Sequence, residues 1–216
     1  MTAPFQAVLT DPQQLGRHYR APNEAVLSKA IDHIDDASRA FIEAATFCLL
    51  GTASATGEGD VSPKGGQPGF VRVLDRHRLA IPDLNGNNRL DSLRNIIDNP
   101  NIGLLFLVPE RGETLRVNGR AWVSVDDELL DSFTDSYRRP ASVIGVQISE
   151  VFLHCAKCIR RAGLWQPDSW GSEQAVPSSA AIFASHMDLD TDNTEAIEQH
   201  MESVYAADLA ADRPER

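Results

Sequence analysis

The chain has 216 residues, 42% of them hydrophobic, with 31 acidic against 20 basic side chains and a formal net charge of −11 at pH 7. That size supports a buried core without disulfides or metals, and the acidic balance argues against general nucleic-acid binding and against adhesion to an anionic membrane. No stretch approaches the roughly 20 apolar residues of a membrane span, and no basic patch with an apolar run opens the chain, so the cytoplasm is the expected location.

Pro12, Pro22 and their polar neighbours make the first residues an extended arm. Asn23 can cap a helix starting at Glu24, with Val26, Leu27, Ala30, Ile31 and Ile34 at helical spacing. Asp35 or Asp36 can cap a second helix that carries Ala40, Phe41, Ala44 and Ala45. From Phe47 the pattern changes to strands: Phe47–Ala53, a strand from Asp60, Gly69–Leu74 and Arg78–Pro82. Asp83–Asn88 is a loop by its turn residues. It leads into an amphipathic helix over 88–98 that Asn99-Pro100 terminates. Ile102–Val108 reads as a buried strand, followed by Thr114–Val117 and Arg120–Val125. Asn118-Gly119 between the last two is either a type I′ turn or a glycine bulge inside one long strand. A short helix over Asp127–Phe133 precedes the last strong strand, Ser142–Leu153. A helix follows from His154 to Leu164, then a Pro, Ser and acid-rich stretch, then an acidic helix over Asn193–Leu209.

This order describes an α+β chain, mainly β, built around a small antiparallel barrel with one inserted helix. A single domain over 1–216 divides into an N-terminal arm and helices (1–46), the barrel (47–155), and C-terminal helices with an acidic tail (156–216).

Several familiar signatures are missing. There is no G-x-G-x-x-G, Walker A, H-E-x-x-H or G-x-S-x-G motif. Asp188-x-Asp190-x-Asp192 resembles the start of an EF-hand loop but lacks the glycine and the closing glutamate that calcium requires. Cys155-x-x-Cys158 beside His154 could be redox active, bind metal, or be an inert pair of reduced thiols; no second pair completes a zinc site. The three cysteines of the chain do not form a disulfide framework.

Three segments carry donor chemistry suited to an anion. In Asp60-Val-Ser-Pro-Lys-Gly-Gly, strand alternation puts Ser62 and Lys64 on one side, with glycines that allow close approach of a flat ligand. By residue type alone this could equally be a Pro/Gly loop with a surface lysine. In Ile81-Pro-Asp-Leu-Asn-Gly-Asn-Asn-Arg-Leu-Asp-Ser, a loop runs into a helix N-terminus, where main-chain N–H groups favour an anion and Arg89 and Ser92 share a face. Asn88 could also simply cap that helix and leave Arg89 solvated. In Glu113-Thr-Leu-Arg-Val-Asn-Gly-Arg-Ala, Thr114 and Arg116 point the same way.

The order of these segments from about Phe41 to Cys158 resembles the pyridoxamine 5′-phosphate oxidase-like flavoproteins. The resemblance is carried above all by Gly86-Asn-Asn-Arg-Leu-Asp-Ser-Leu-Arg-Asn-Ile-Ile-Asp-Asn-Pro-Asn-Ile-Gly-Leu-Leu-Phe and Glu113-Thr-Leu-Arg-Val-Asn-Gly-Arg-Ala. It implies a six-stranded antiparallel split β-barrel with flanking helices. It also implies a homodimer with FMN at the subunit interface and an FMN-dependent oxidoreductase acting on a small molecule. Carried over by segment, Ser62 and Lys64 line the flavin and ribityl chain, and Ile81 and Pro82 meet the ring through backbone groups. Asn88, Arg89 and Ser92 take the phosphate, Thr114 lies against the ring, and Lys157 and Trp165 approach from the partner subunit. A flavin module without turnover, or a barrel holding haem or F420, is the alternative within this fold. The oxidase itself holds its substrate with an Arg-x-His-Asp-Arg type segment; here Glu195–Arg213 reads as an acidic helix instead.

Overall fold

The computed structural model describes residues 4–171, 176–189 and 194–214. Helices α1 (Glu24–Ser28) and α2 (Asp36–Ala44) start where the capping residues indicate. Asn23 Oδ1 accepts from Val26 N at 2.9 Å, and Asp35 Oδ1 accepts from Ser38 N at 2.8 Å. α1 ends sooner than its apolar spacing suggests. Ile31 forms a backbone bridge with Val151, and Ile34 N–H donates to Arg76 O at 2.7 Å. Tertiary pairing has claimed residues that local spacing assigned to a helix. Pro12–Arg17 form a 3-10 helix, not an extended arm.

Seven strands form one antiparallel sheet. They are β1 (Phe47–Ala53), β2 (Gly59–Gly65), β3 (Arg72–Val73), β4 (Arg78–Pro82), β5 (Asn101–Leu107), β6 (Thr114–Ser124) and β7 (Val143–His154). Their order is β2-β1-β5-β6-β7-β4-β3. The resemblance implied six strands and the sheet has seven; the strand expected over Gly69–Leu74 is reduced to β3, two residues long. Gly69 has φ 85°, and Phe70 N–H donates to Gln67 O, so the chain is still turning where a longer strand was expected to begin. Asn118-Gly119 is not a hairpin turn. β6 runs through it, and its register against β7 slips by one residue there. A Cβ on Gly119 would stand 2.2 Å from Gln147 O, so the bulge requires glycine.

Between the strands lie α3 (Asp91–Asp98) and α4 (Asp127–Asp131); after them come α5 (Lys157–Ala162), α6 (Ser179–His186) and α7 (Thr194–Ala211). The inserted helix thus starts at Asp91, not at residue 88, because Asn88 (φ 54°) and Leu90 (φ 61°) are left-handed and cannot continue a right-handed helix. α5 starts after Ala156 and stops at Gly163, whose φ of 59° forms a left-handed C-cap. Asp190 and Asp192 of the EF-hand-like run lie outside the described residues. Among the described residues no group of His, Cys, Asp and Glu could hold a metal ion. Among them, too, no helix is long and apolar enough to cross a membrane.

Alternation along the strands builds the core. Cys48, Leu50, Leu104, Phe106, Leu115, Val117, Ile144 and Val146 point inward and are buried together with Ile42, Phe70, Leu79 and Ile81. Cys48 is a core residue whose burial pushes its thiol up to about 12, whereas Cys155 and Cys158 are exposed. A thiol reagent at pH 8 should therefore modify Cys155 and Cys158 in the native protein and reach Cys48 only after unfolding. Rapid modification of Cys48, read by peptide mass, would contradict this core assignment.

Candidate functional site

β2 is an edge strand, paired only with β1 in the ladder. Its side chains alternate strictly: Asp60, Ser62 and Lys64 are half-buried, while Val61 and Pro63 face solvent. The inward row faces the first turn of α3. Ser92, buried, lies 3.0 Å from Ser62 Oγ and 3.4 Å from Asp60 Oδ2. One hydroxyl carries one proton, so an ionised Asp60 draws the Ser92 proton to itself and leaves Ser62 to donate to Ser92.

The opposite wall comes from the end of β4. Lys64 Nζ lies 3.9 Å from Asp83 Oδ1, although β2 and β4 are far apart in the strand order. The sheet has curled until its two ends face each other across a gap that no ladder bridges. That gap is a cleft of about 450 Å³, closed by the loop from Asp83 to Leu90 and by α3.

The loop is shaped by its own polar side chains. Asn87 Oδ1 accepts from Arg89 N at 3.1 Å, and Arg89 Nε donates to Asp91 Oδ2 at 2.7 Å. Arg89 therefore precedes α3, and its side chain remains 74% exposed. Leu90 is the residue before the helix and no side chain caps it, so the main-chain donors of the first turn lack a capping side chain where Leu90, Asp91, Ser92 and Leu93 line the cleft. At the far end of β2, Gly66 is packed so tightly that a Cβ would lie 2.4 Å from the Tyr137 hydroxyl and 2.6 Å from Phe70 Cβ. The Tyr137 hydroxyl accepts from Gln67 N at 2.9 Å and fixes the turn after the strand.

Six of the residues expected at a site line this one cleft: Ser62, Lys64, Pro82, Asn88, Arg89 and Ser92. Ile81 does not; it is fully buried in the core and paired with Ile144. Thr114 is buried at the start of β6, opposite His154, and is not among the cleft residues. Lys157 is exposed on α5, and Trp165 Nε1 donates to Arg111 O at 2.6 Å; within one chain neither lines the cleft. Sequence reasoning passed over Asp60, Phe70, Asp83 and Asn85, which also line it. Asp60 stands two residues before Ser62 on a strand, so alternation alone places it in the same row. Nothing local marks Asp83 or Asn85, because their roles come from the curl of the sheet.

An antiparallel sheet in this order, curled with its ends unpaired and a helix inserted between β4 and β5, is a split β-barrel. Residues 34–155, more than half of the chain, match the family model for pyridoxamine 5′-phosphate oxidase, and the chain belongs to that family. Among solved structures, HupZ of Group A Streptococcus is similar over 56% of this chain and 93% of its own, at 18% identity and a TM-score of 0.47. A candidate pyridoxamine 5′-phosphate oxidase from Lactobacillus delbrueckii is similar over 56% of this chain and 99% of its own, at 21% identity and a TM-score of 0.43. The haem storage protein HutZ of Vibrio cholerae is similar over 53% and 89%, at 15% identity and a TM-score of 0.38. No match is found among curated protein sequences.

Burial in the cleft wall raises the Asp83 carboxyl above its usual range, and Lys64 opposes that shift only in part. A raised carboxyl stabilises the fold while protonated. That contribution is complete below the ordinary value of 3.8 and is lost as pH rises through the folded value. Asp83→Asn should therefore be more stable than wild type at pH 7, with the difference shrinking as pH falls toward 4. Urea midpoints across that range test it, and a variant less stable at pH 7 would show that the Lys64 pair outweighs burial.

Proposed function

We propose that the chain is an FMN-binding flavoprotein and acts as an FMN-dependent oxidoreductase on a small molecule. One observation carries the reading. Ser62 and Lys64 on a strand, and Asn88, Arg89 and Ser92 around a helix start, meet at a single cleft although they lie far apart in sequence. The donors fit a phosphate: two cations and an uncapped helix N-terminus. FMN, when bound, supplies hydride and single-electron chemistry that no side chain here provides. The protein's part is to hold the phosphate with Arg89, Lys64 and the main-chain donors at the start of α3, and to meet the ribityl hydroxyls with Ser62, Ser92 and Asp60. Pro82, at the end of β4, offers an apolar wall to the ring. None of the described residues lining the cleft is His, Cys, Met or Tyr, the usual ligands of haem iron, which favours flavin over haem.

The purified protein should be yellow or should take up added FMN. Arg89 gives up its pair with Asp91 when it meets a phosphate, so part of the new bond is offset. Arg89→Ala should then weaken FMN by about tenfold and leave riboflavin almost unchanged. Colourless protein that fails to bind FMN would sink the cofactor reading. Equal losses for both flavins would make Arg89 a support of the loop. Titration with F420 and with haem, and turnover with reduced nicotinamides and an acceptor series, separate the remaining members of this fold and a module that binds without cycling.

The reading includes a homodimer with FMN at the interface, in which Lys157 and Trp165 serve the partner's cleft. Its support is the outer sheet face. Leu49, Leu105 and Leu107 are only partly covered there, Phe47 is 39% exposed, and on the flanks Val61 is 63% and Trp122 49% exposed. The outward residues of β7, Gln147 and Ser149, are polar, so β1 and β5 make the better interface. Sedimentation at micromolar concentration should give a dimer. A monomer that still binds FMN tightly would overturn this.

A further inference from the structure

The acidic C-terminal helix α7 lies beyond residues 34–155, the part that matches the family. Its end is not loose. Asp212 Oδ1 accepts from Asn85 N at 3.0 Å and from Asn85 Nδ2 at 2.9 Å, and the Asp208 carbonyl accepts from Asn85 Nδ2 at 3.5 Å. The Asp212 carbonyl accepts from Arg138 N at 2.8 Å. Asn85 lines the cleft, in the loop that leads to Arg89. The residue before Arg138 is Tyr137, whose hydroxyl holds Gln67 N beyond the end of β2. The end of α7 therefore braces both walls of the cleft, the loop directly and β2 through Tyr137.

The placement of Asp212 is costly in isolation. It follows a helix with no basic residue in its last turn, where the negative end of the dipole disfavours a carboxylate. The double acceptance from Asn85 offsets that cost and ties the tail to the loop.

We propose that Asp212 is a positioning residue for the cleft loop: by clamping Asn85 it holds Asn88 and Arg89 where a phosphate meets them. The proposal rests on the flavin reading and extends it to a part of the chain outside the family match. Two effects oppose each other, and the sign of the result tells them apart. A carboxylate beside an anion site repels the anion, so if charge alone mattered, its removal would tighten FMN. If Asp212 positions the loop, its removal loosens the site and weakens FMN.

Three variants test this by titration with FMN and riboflavin: Asp212→Ala, Asp212→Asn, which keeps an acceptor oxygen, and Asn85→Ala. Asp212→Ala should weaken FMN by about threefold to tenfold and shift riboflavin by less than about twofold. Asp212→Asn should bind FMN as well as wild type or better. Asn85→Ala loses the side-chain bond to Asp212 and keeps the main-chain one, so it should reproduce part of the alanine loss, and the double variant should bind FMN no worse than Asp212→Ala. Amide hydrogen exchange in ligand-free protein should speed up over residues 85–89 in Asp212→Ala and stay slow in Asp212→Asn. FMN binding unchanged or tighter in Asp212→Ala overturns the proposal, as does an equal loss of both flavins with a lowered melting temperature. If wild type binds no flavin, the flavin reading falls by itself. The exchange measurement then still decides whether Asp212 holds the loop, and unchanged exchange overturns that too.

Discussion

The hydrogen bond of 3.0 Å between Ser92 and Ser62 joins the start of α3 to the edge of the sheet, and the arrangement of the cleft depends on it. β2 hangs on β1 alone, so nothing in the ladder fixes its other side. α3 supplies that side. Asn95 Nδ2 donates to Thr52 Oγ1 at 3.0 Å one turn further along, and buried Ile96 enters the core below. The helix is thus anchored along its length by apolar burial, and its first turn is free of any cap. Leu90 in a left-handed conformation makes this possible, because it starts the helix abruptly and contributes no oxygen to satisfy the first donors. Strain at Asn88 and Leu90 is the kind of local cost that the surrounding structure must hold in place.

Electrostatics then decide what such a cleft can hold. A chain of net charge −11 repels anions at a distance. Within the cleft Lys64 faces Asp83, and Arg89 faces Asp91, so both cations already have partners. A phosphate arriving there exchanges one anion for another and does not have to desolvate bare cations. The exposed Arg89–Asp91 pair gives way easily, since a solvated ion pair contributes little. Asp60 works against the phosphate at the other end. It takes the Ser92 proton, and Ser62 in turn donates to Ser92, so that part of the cleft presents acceptors and suits a polyol better than a second phosphate. The two ends of one cleft thus differ in the ligand groups they favour.

What could be read in the sequence was whatever depends on neighbours in the chain. The caps at Asn23 and Asp35, the alternation of β2 that puts Ser62 and Lys64 in one row, and the strand β7 all follow from local spacing, whereas the shared helical face expected of Arg89 and Ser92 does not form, because Arg89 precedes α3. The misplacements have one cause, competition from distant residues. Ile31 was assigned to a helix by its spacing and belongs to a bridge with Val151; the choice between turn and bulge at Asn118-Gly119, which local spacing left open, is made by Gln147 on the neighbouring strand. The start of α3 was misjudged because Asn88 and Leu90 adopt a conformation that most residues avoid and that no pattern announces. Asp83 and Asn85 could not have been chosen, since their partners, Lys64 and Asp212, are brought to them by the curl of the sheet and by the last helix.

Curling the sheet also creates a second surface. The inward row is filled by Leu50, Leu104, Phe106 and Val117, and the outward row of the same strands holds Leu49, Gly51, Gly103 and Leu105 beside Arg116. Gly51 and Gly103 are paired across β1 and β5, so this face is flat and offers backbone where side chains would stand. Arg116 crosses its edge, donating to Glu150 at 2.7 Å and lying 4.9 Å from the centre of the Phe152 ring. Its Nε is buried without a hydrogen-bond partner, which is costly for a guanidinium. A flat apolar face with an unsatisfied donor at its border is under-covered by its own chain. The same curl that makes the cleft between the sheet's two ends therefore leaves the outer face of β1 and β5 only partly covered by this chain.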